Sequence, residues 1–270
     1  MLLDIDYNSI QGEVAGAGLY ETLPAPPPLN RWVQSFWQLD VPHGQFLYHS
    51  VPDNCVDWII NLRNFNDNFL IPPFLSSNLF HLNGPVSFYG IRFRVLGHKG
   101  LIHTPLGEWG ALDSVLAVDL LPADLVYHVF EPMEKARSFS ERCTAITAVL
   151  LARIKLADID PRLARYIRYC CKNLGTNLDL SDRQCAEFGV SSRQLRRLAK
   201  EHLGMMPKDF ARVCRFQHVL KALYTPQPHN AWLEHYYDQP HFIREFKRLS
   251  GLTPSQFVKM SVLYNPKPEG

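Results

Sequence analysis

No apolar run in the chain approaches the ~20 residues that cross a bilayer, and residues 1–20 lack a basic segment leading into an apolar core. Neither a membrane span nor a secretory leader is expected, and the sequence reads as cytoplasmic. Cysteine is sparse and unpatterned. The six, at 55, 143, 170, 171, 185 and 214, include no Cys-x-x-Cys or Cys-x-x-His spacing, which argues against a zinc site and a disulfide framework. Also missing are a Gly-rich phosphate loop, a Gly-x-Ser-x-Gly turn and a His-x-His pair. His81, His98 and His103 fall at no metal-ligand spacing. No metal, no cofactor and no enzymatic activity is therefore expected. Cys55 with Asp57 would make a nucleophile and its orienter, but a lone cysteine on an apolar strand is ordinarily core.

Charge is scarce overall, at net +2 over 270 residues, but it is unevenly placed. Residues 176–260 hold thirteen Lys and Arg against eight Asp and Glu, a net of +5, and the remainder holds 15 against 18. The basic excess is confined to one segment, which fits a polyanion partner there.

Within that segment the densest pattern lies between Asp238 and Gly251. Asp238 can accept backbone N–H bonds as an N-cap, Pro240 sits in the first turn where a missing N–H is harmless, and Gly251 is a natural stop. Between these ends Phe242, Phe246 and Leu249 recur on one face, while His241, Arg244, Lys247 and Arg248 occupy others. Upstream, Leu180, Cys185 and Phe188 with Gly189 predict a first helix. Ser191 then caps a second with inward Leu195, Leu198 and Leu203, ended by Gly204. Helix, Gly-containing turn and helix is the helix-turn-helix arrangement. Arg193, Arg196, Arg197 and Lys200 share its second helix.

The amino-terminal half differs. Pro24, Pro26, Pro27 and Pro28 make a stiff lead-in, giving an arm over 1–30. Five runs rich in aromatic and β-branched residues follow, 32–39, 45–51, 56–62, 68–71 and 86–95, separated by turn residues at 42–44, 52–54, 72–73 and 83–85. They predict a small β-barrel or sandwich over 31–137, of which the barrel is the expected form. Strict alternation from Val56 to Asn61 puts Val56, Trp58 and Ile60 on one face and Asp57, Ile59 and Asn61 on the other, without saying which faces inward. Trp37, Trp58, Tyr89, Arg92 and Arg94 are the candidate ligand-binding residues, since aromatic walls with a few charges suit a small molecule. A helix is predicted over 124–136. Another opens at the capping box Ser138-x-x-Glu141, with Phe139, Cys143, Ile146, Leu150 and Ile154 in a narrow stripe that fits a dimer seam or a cover over the barrel. A third starts at Pro161 and stops at Gly175. Residues 138–175 thus read as a helical dimerisation or linker region, 176–260 as the double helix-turn-helix, and 261–270 as a tail.

The wording of the carboxy-terminal segment resembles the AraC/XylS family of bacterial transcription activators. Tyr236-x-Asp238-Gln239-x-x-Phe242 and Gly251-x-Thr253-Pro254-x-x-Phe257 match the second helix-turn-helix of that family. The first is matched by Ala186-Glu187-Phe188-Gly189-Val190-Ser191, Leu195-Arg196-Arg197, Gly204 and Pro207-x-x-Phe210, and Arg215-Phe216 continues the match into the joining helix. Residues 51–57 and 90–94 more weakly resemble the amino-terminal sensor domain of one group of these regulators. The resemblance implies an α+β protein with a cupin-like barrel and an all-α double helix-turn-helix. It also implies double-stranded DNA as partner, a small-molecule effector, a homodimer and contact with RNA polymerase. Arg193, Arg196, Gln239, His241 and Arg244 are then the expected base readers, because Arg and Gln can pair two base acceptors or donors at once. Arg197, Lys200, Lys247 and Arg248 are the remaining DNA-binding candidates, with Arg197 and Lys247 the better suited to phosphate.

Two departures stand out. Ala199 replaces a usual large aromatic, which would loosen the first motif. Pro226, Pro228 and His235 fall in the leading helix of the second motif, which must then be short, from about 230 to 235. A second reading follows from them: a sensor or interaction protein whose second motif has degenerated and which signals through a protein partner.

Overall fold

The computed structural model describes residues 7–12, 14, 19–109, 114–224, 236 and 238–264. The strands are β1 (Tyr20–Pro24), β2 (Val33–Ser50), β3 (Val56–Asn61), β4 (Asn68–Ile71), β5 (Asn78–Phe93), β6 (Val115–Leu116) and, near the carboxy terminus, β7 (Leu263–Tyr264). They form one antiparallel sheet in the order β1-β2-β5-β3-β4-β6, with β7 added to β2. The path has two ends, β1 and β6, that do not pair with each other among the described residues. The sheet is open, which corrects the expected closed barrel.

The expected turns at 42–44 and 83–85 are corrected too. Both lie inside long strands, opposite each other, with Gly44 paired to Gly84 and the register slipping between Val41 and Gly44. Proline cannot donate to a ladder, so Pro42 and Pro85 are tolerated at such a bulge. A Cβ on Gly84 would meet the Pro42 carbonyl oxygen at 1.5 Å, so only glycine lets the strands approach there. The bulge bends the β2–β5 ribbon, and residues from both of its halves line one cavity.

Cross-strand register settles which face is which. Phe36, Ile91, Trp58 and Leu70 form one row, and this face packs under helices α1 (Ala117–Leu120), α2 (Ala123–His128), α3 (Phe130–Lys135) and α4 (Phe139–Arg153) as the first core. The helix expected over 124–136 is two helices, because Pro132 has no N–H for the His128 carbonyl. Ser138 caps α4 by accepting the Glu141 N–H, but the Glu141 carboxylate accepts from Arg137 N–H rather than closing the box on Ser138. The α4 stripe covers the sheet within the one chain: Ile146 and Leu150 are 0% exposed, and Tyr89 donates to Cys143 Sγ.

The remaining helices are α5 (Pro161–Lys172), α6 (Asp182–Glu187), α7 (Ser192–Leu203), α8 (Pro207–Leu223), α9 (Gln239–Ser250) and α10 (Pro254–Lys259). Leu163, Tyr166, Ile167 and Cys170 of α5 share a second core with α6, α7 and the start of α8, so α5 is built into the helical unit rather than strung before it. A third core joins the rest of α8 to α9 and α10. Both carboxy-terminal cores also take side chains from the sheet region, Val95 and Leu96 in the second and Val51 in the third. Gln217, 1% exposed, donates to the carbonyls of Pro52 and Ile10 and accepts the Ile10 N–H, and Asn54 donates to the Phe210 carbonyl. The sheet and the helices are thereby fastened through buried backbone groups.

Candidate nucleic-acid interface and ligand cavity

Helix α7 is fixed by local chemistry. Ser191 accepts the Gln194 N–H while Gln194 accepts the Ser191 N–H, a reciprocal capping box, and Gly204 ends the helix at φ 71°. Leu195, Leu198, Ala199 and Leu203 face inward. Ala199 is 0% exposed and belongs to the same core as Tyr166, Phe188 and Phe210, so the position is fully covered without the usual aromatic. Arg193, Arg196, Arg197 and Lys200 recur at i, i+3, i+4 and i+7 and form an exposed cationic stripe on the opposite side. Arg197 lies 3.7 Å from Glu201 in an exposed pair, a weak tether. The far end of α7 abuts the turn at Leu106–Glu108, where a Cβ on Gly107 would meet the Lys200 carbonyl oxygen at 2.7 Å.

Helix α9 has the ends its sequence predicts. Asp238 accepts the His241 N–H, Pro240 sits in the first turn, and Gly251 closes the helix at φ 77°. Phe242, Phe246 and Leu249 are each 1% exposed. Phe246 packs at a tilt against Phe216 of α8 and edgewise on Phe257 of α10, and Arg215 of α8 pairs with Glu245 at 2.8 Å beneath the Tyr236 ring. Gln239, Arg244, Lys247 and Arg248 are exposed. His241 is half-buried, with its ring against Tyr236 and its Nε2 3.9 Å from Glu245, so of the five expected base readers it is the one turned partly inward. The expected leading helix at 230–235 lies outside the described residues.

The second face of the sheet carries a cavity. Its rows are Ser35, Arg92, Asp57 and Ile71, then Trp37, Gly90, Ile59 and Phe69, then Tyr20, Leu39 and Phe88. The Trp37 indole lies against Gly90, where an added Cβ would stand 1.9 Å from Cε2, and its Nε1 donates to Asp57 Oδ1 at 3.3 Å. The bent end of the β2–β5 ribbon brings Tyr48, Phe80 and Leu82 over the same space, a pocket of about 90 Å³ that opens to solvent. Arg92 donates through Nε and Nη2 to Asp57 and stands 3.3 Å from Asp53.

Of the five candidate ligand residues, Trp37 and Arg92 line this cavity. Trp58 and Tyr89 are corrected: both are 0% exposed on the helix-covered face, because alternation sends them to the first core. Arg94 sits at a neighbouring opening between the amino-terminal arm and the sheet, donating to the Asn30 carbonyl and Asn8 Oδ1. The rings of Tyr20, Phe69, Phe74, Phe80 and Phe88 were not singled out by the sequence; their common face depends on the bulge and on cross-strand register. Cys55 and Asp57 do not form a nucleophile and orienter. Burial pushes the Cys55 thiol up, its Sγ contacts Ser9 Oγ, and Asp57 is committed to Arg92 and Trp37.

A family model of a helix-turn-helix domain matches residues 184–260, which span α6 through α10. This segment is an AraC-type helix-turn-helix domain. A domain of unknown function, DUF6597, matches residues 21–113, the stretch holding β1 to β5 and so ahead of the AraC-type domain. No curated protein matches the chain. Solved structures of ToxT from Vibrio cholerae are similar to it over most of their length. An apo variant is 12% identical with a TM-score of 0.42, covering 92% of this chain and 99% of that one. A form bound to an unsaturated fatty acid is 11% identical with a TM-score of 0.42, covering 96% and 97%. A form bound to (E)-4-(8-methylnaphthalen-1-yl)but-3-enoic acid is 9% identical with a TM-score of 0.44, covering 93% and 99%. In the AraC-type domain of the present chain, the cationic stripes of α7 and α9 lie on the faces opposite its two cores.

Proposed function

We propose that the protein is a cytoplasmic, sequence-specific DNA-binding transcription regulator whose sheet cavity receives a small molecule that gates binding. The observation that carries this reading is the pair of capped helices, α7 and α9, each buried on its apolar side and cationic on the other, inside a segment of helix-turn-helix type. Such a helix enters the major groove, with phosphate contacts supplying affinity and base-edge contacts supplying sequence. Arg193, Arg196, Gln239 and Arg244 are assigned to bases, with His241 swinging out to join them. Arg197, Lys200, Lys247 and Arg248 are assigned to phosphates. Gating is supported by Val51, Val95 and Leu96, which follow closely on β2 and β5 and complete both cores of the helical unit, a direct path from the strands to those cores. A homodimer and a contact with RNA polymerase complete the proposal; because the α4 stripe is spent on the sheet, the dimer uses another surface.

The intact caps and packing of α9 favour this reading over a degenerate second motif, since a helix that had left DNA would need no exposed basic stripe. Titration of duplexes at several salt concentrations tests it. Affinity should fall steeply with salt, and Arg193→Ala or Arg196→Ala should cost about 1–3 kcal/mol on the cognate site and less on scrambled duplex. Arg197→Ala should weaken both alike. Equal losses for all three variants on both duplexes would overturn the assignment of roles.

A further inference from the structure

The charges at the cavity on the open face of the sheet are already matched. Among the described residues that line it only Asp57 and Arg92 carry charge, and they are joined at 2.8 Å through Arg92 Nη2 with both side chains largely buried. Asp57 Oδ1 also accepts Trp37 Nε1 and Arg92 Nε. Asp53, behind the pair at 3.3 Å from Arg92, is pushed up toward its neutral form by burial. The other polar groups of the lining are uncharged. Ser50 donates its hydroxyl to Gln11 Oε1. Burial pushes the Tyr20 hydroxyl up to about 12 and the Tyr48 hydroxyl higher still, so both phenols keep their protons at neutral pH.

The rest of the wall is hydrocarbon, and most of it is aromatic. Tyr20 stacks on Trp37 at a centroid distance of 6.2 Å, Tyr48 meets Phe80 at 6.4 Å, and Phe69, Phe74 and Phe88 add further rings. Ring faces and edges favour a flat aromatic partner over an aliphatic one of similar volume. A charged ligand fares worse than a neutral one of the same shape. Inside the cavity it must either part Asp57 from Arg92 or give up its own water with no counter-charge in exchange, and both leave a charge alone in apolar surroundings. The ring faces attract a cation, but with the only lining carboxylate taken that gain is smaller than the cost of dehydration. Size narrows the class further. An apolar cavity of ~150 Å³ holds benzene in another protein, so a space of about 90 Å³ with one open side accommodates a single ring.

We infer that the cavity selects a small uncharged aromatic molecule, one ring with neutral substituents, seated among Trp37, Phe69, Phe80 and Phe88 with the Asp57–Arg92 pair left closed. This rests on the reading of the cavity as the ligand site and specifies the chemical class it takes.

A series of related probes decides it: benzyl alcohol, benzylammonium, phenylacetate, cyclohexylmethanol and 2-naphthalenemethanol. Each is titrated into isotope-labelled full-length protein at pH 7 and followed by the tryptophan indole N–H resonances. Benzyl alcohol should bind best, with both charged probes weaker by about fivefold or more and cyclohexylmethanol weaker by about threefold. The naphthalene should bind no tighter than benzyl alcohol. Leu82→Trp, verified as folded by its melting curve, should fill the space and abolish binding of benzyl alcohol. A charged probe or cyclohexylmethanol binding as tightly as benzyl alcohol, tighter binding of the naphthalene, or failure of every probe to bind would overturn the inference. Unchanged binding in folded Leu82→Trp would also overturn it, and the wild-type series alone suffices if that variant does not fold. Benzyl alcohol binding without any change in duplex affinity would instead sink the gating role and leave the ligand class standing. A charged probe that binds more tightly and shifts duplex affinity would do the reverse.

Discussion

His98 shows how a single buried group ties pH to stability. It is 2% exposed, its Nδ1 has no hydrogen-bond partner among the described residues, and its ring stands edgewise to Trp109 beside the turn that abuts α7. Burial, aided by Lys99 and His202, holds its pKa down at about 3 from 6.5. The folded protein therefore keeps the ring neutral over a range in which the unfolded chain would protonate it. Below pH ~6.5 the unfolded state binds the extra proton, so stability falls as pH drops from there toward ~3, by up to about 1.4 kcal/mol per pH unit. His98→Phe, which keeps a ring and removes the titration, should flatten that slope in denaturant titrations at pH 7.5, 6 and 5. Parallel slopes for the two proteins would show that other groups govern the acid limb. The histidine itself was visible in the sequence only as one of three with no ligand spacing; its burial comes from loop packing that no local pattern encodes.

At the scale of elements, α9 carries the sharpest prediction. Its exposed basic face is set by Asp238, Pro240 and Gly251 at the ends and by Phe242, Phe246 and Leu249 underneath. If both motifs grip one face of a duplex about 34 Å apart, Arg244→Ala should shrink a nuclease footprint by one half-site and leave the half read by Arg193 and Arg196. An unchanged footprint with unchanged affinity would confine DNA contact to the first motif. Helices like α7 and α9 were legible because caps and i, i+4 stripes lie within a dozen residues of each other. The sheet was legible only in part. Its strand content and the two faces of β3 follow from alternation, but Pro42-His43-Gly44 and Asn83-Gly84-Pro85 resemble turns, and their pairing across a bulge depends on register between distant segments. For the same reason Trp58 and Tyr89 could not be told from Trp37 by residue type. Which face an aromatic joins was decided by α1–α4 covering one side.

Across the whole molecule the carboxy-terminal end closes a circuit that the sequence did not signal. The 261–270 segment reads as a tail, yet Leu263–Tyr264 adds a strand to β2, and His49 donates its N–H to the Val262 carbonyl at 2.6 Å. Val262 and Leu263 are 0% and 2% exposed, one in the core of the second motif and the other among the side chains beside the cavity. Tyr48 lines the cavity and packs against both of these cores. Gly251, at the exit of α9, comes so near the sheet that an added Cβ would lie 2.9 Å from Ser77 Oγ. The carboxy-terminal helices are therefore held to the sheet by a strand, by a buried valine and leucine, and by a close backbone approach. Ending the chain at Met260 removes the first two. Loss of two buried aliphatic side chains should destabilise this junction by about 2–5 kcal/mol. The helices of the second motif should then exchange amide hydrogens faster, while α1–α4 on the other side of the sheet keep their protection. Uniform loss of protection across the molecule would mean that the sheet and helices unfold only together. Unchanged protection of α9 and α10 would mean that the strand contributes nothing to their hold on the sheet.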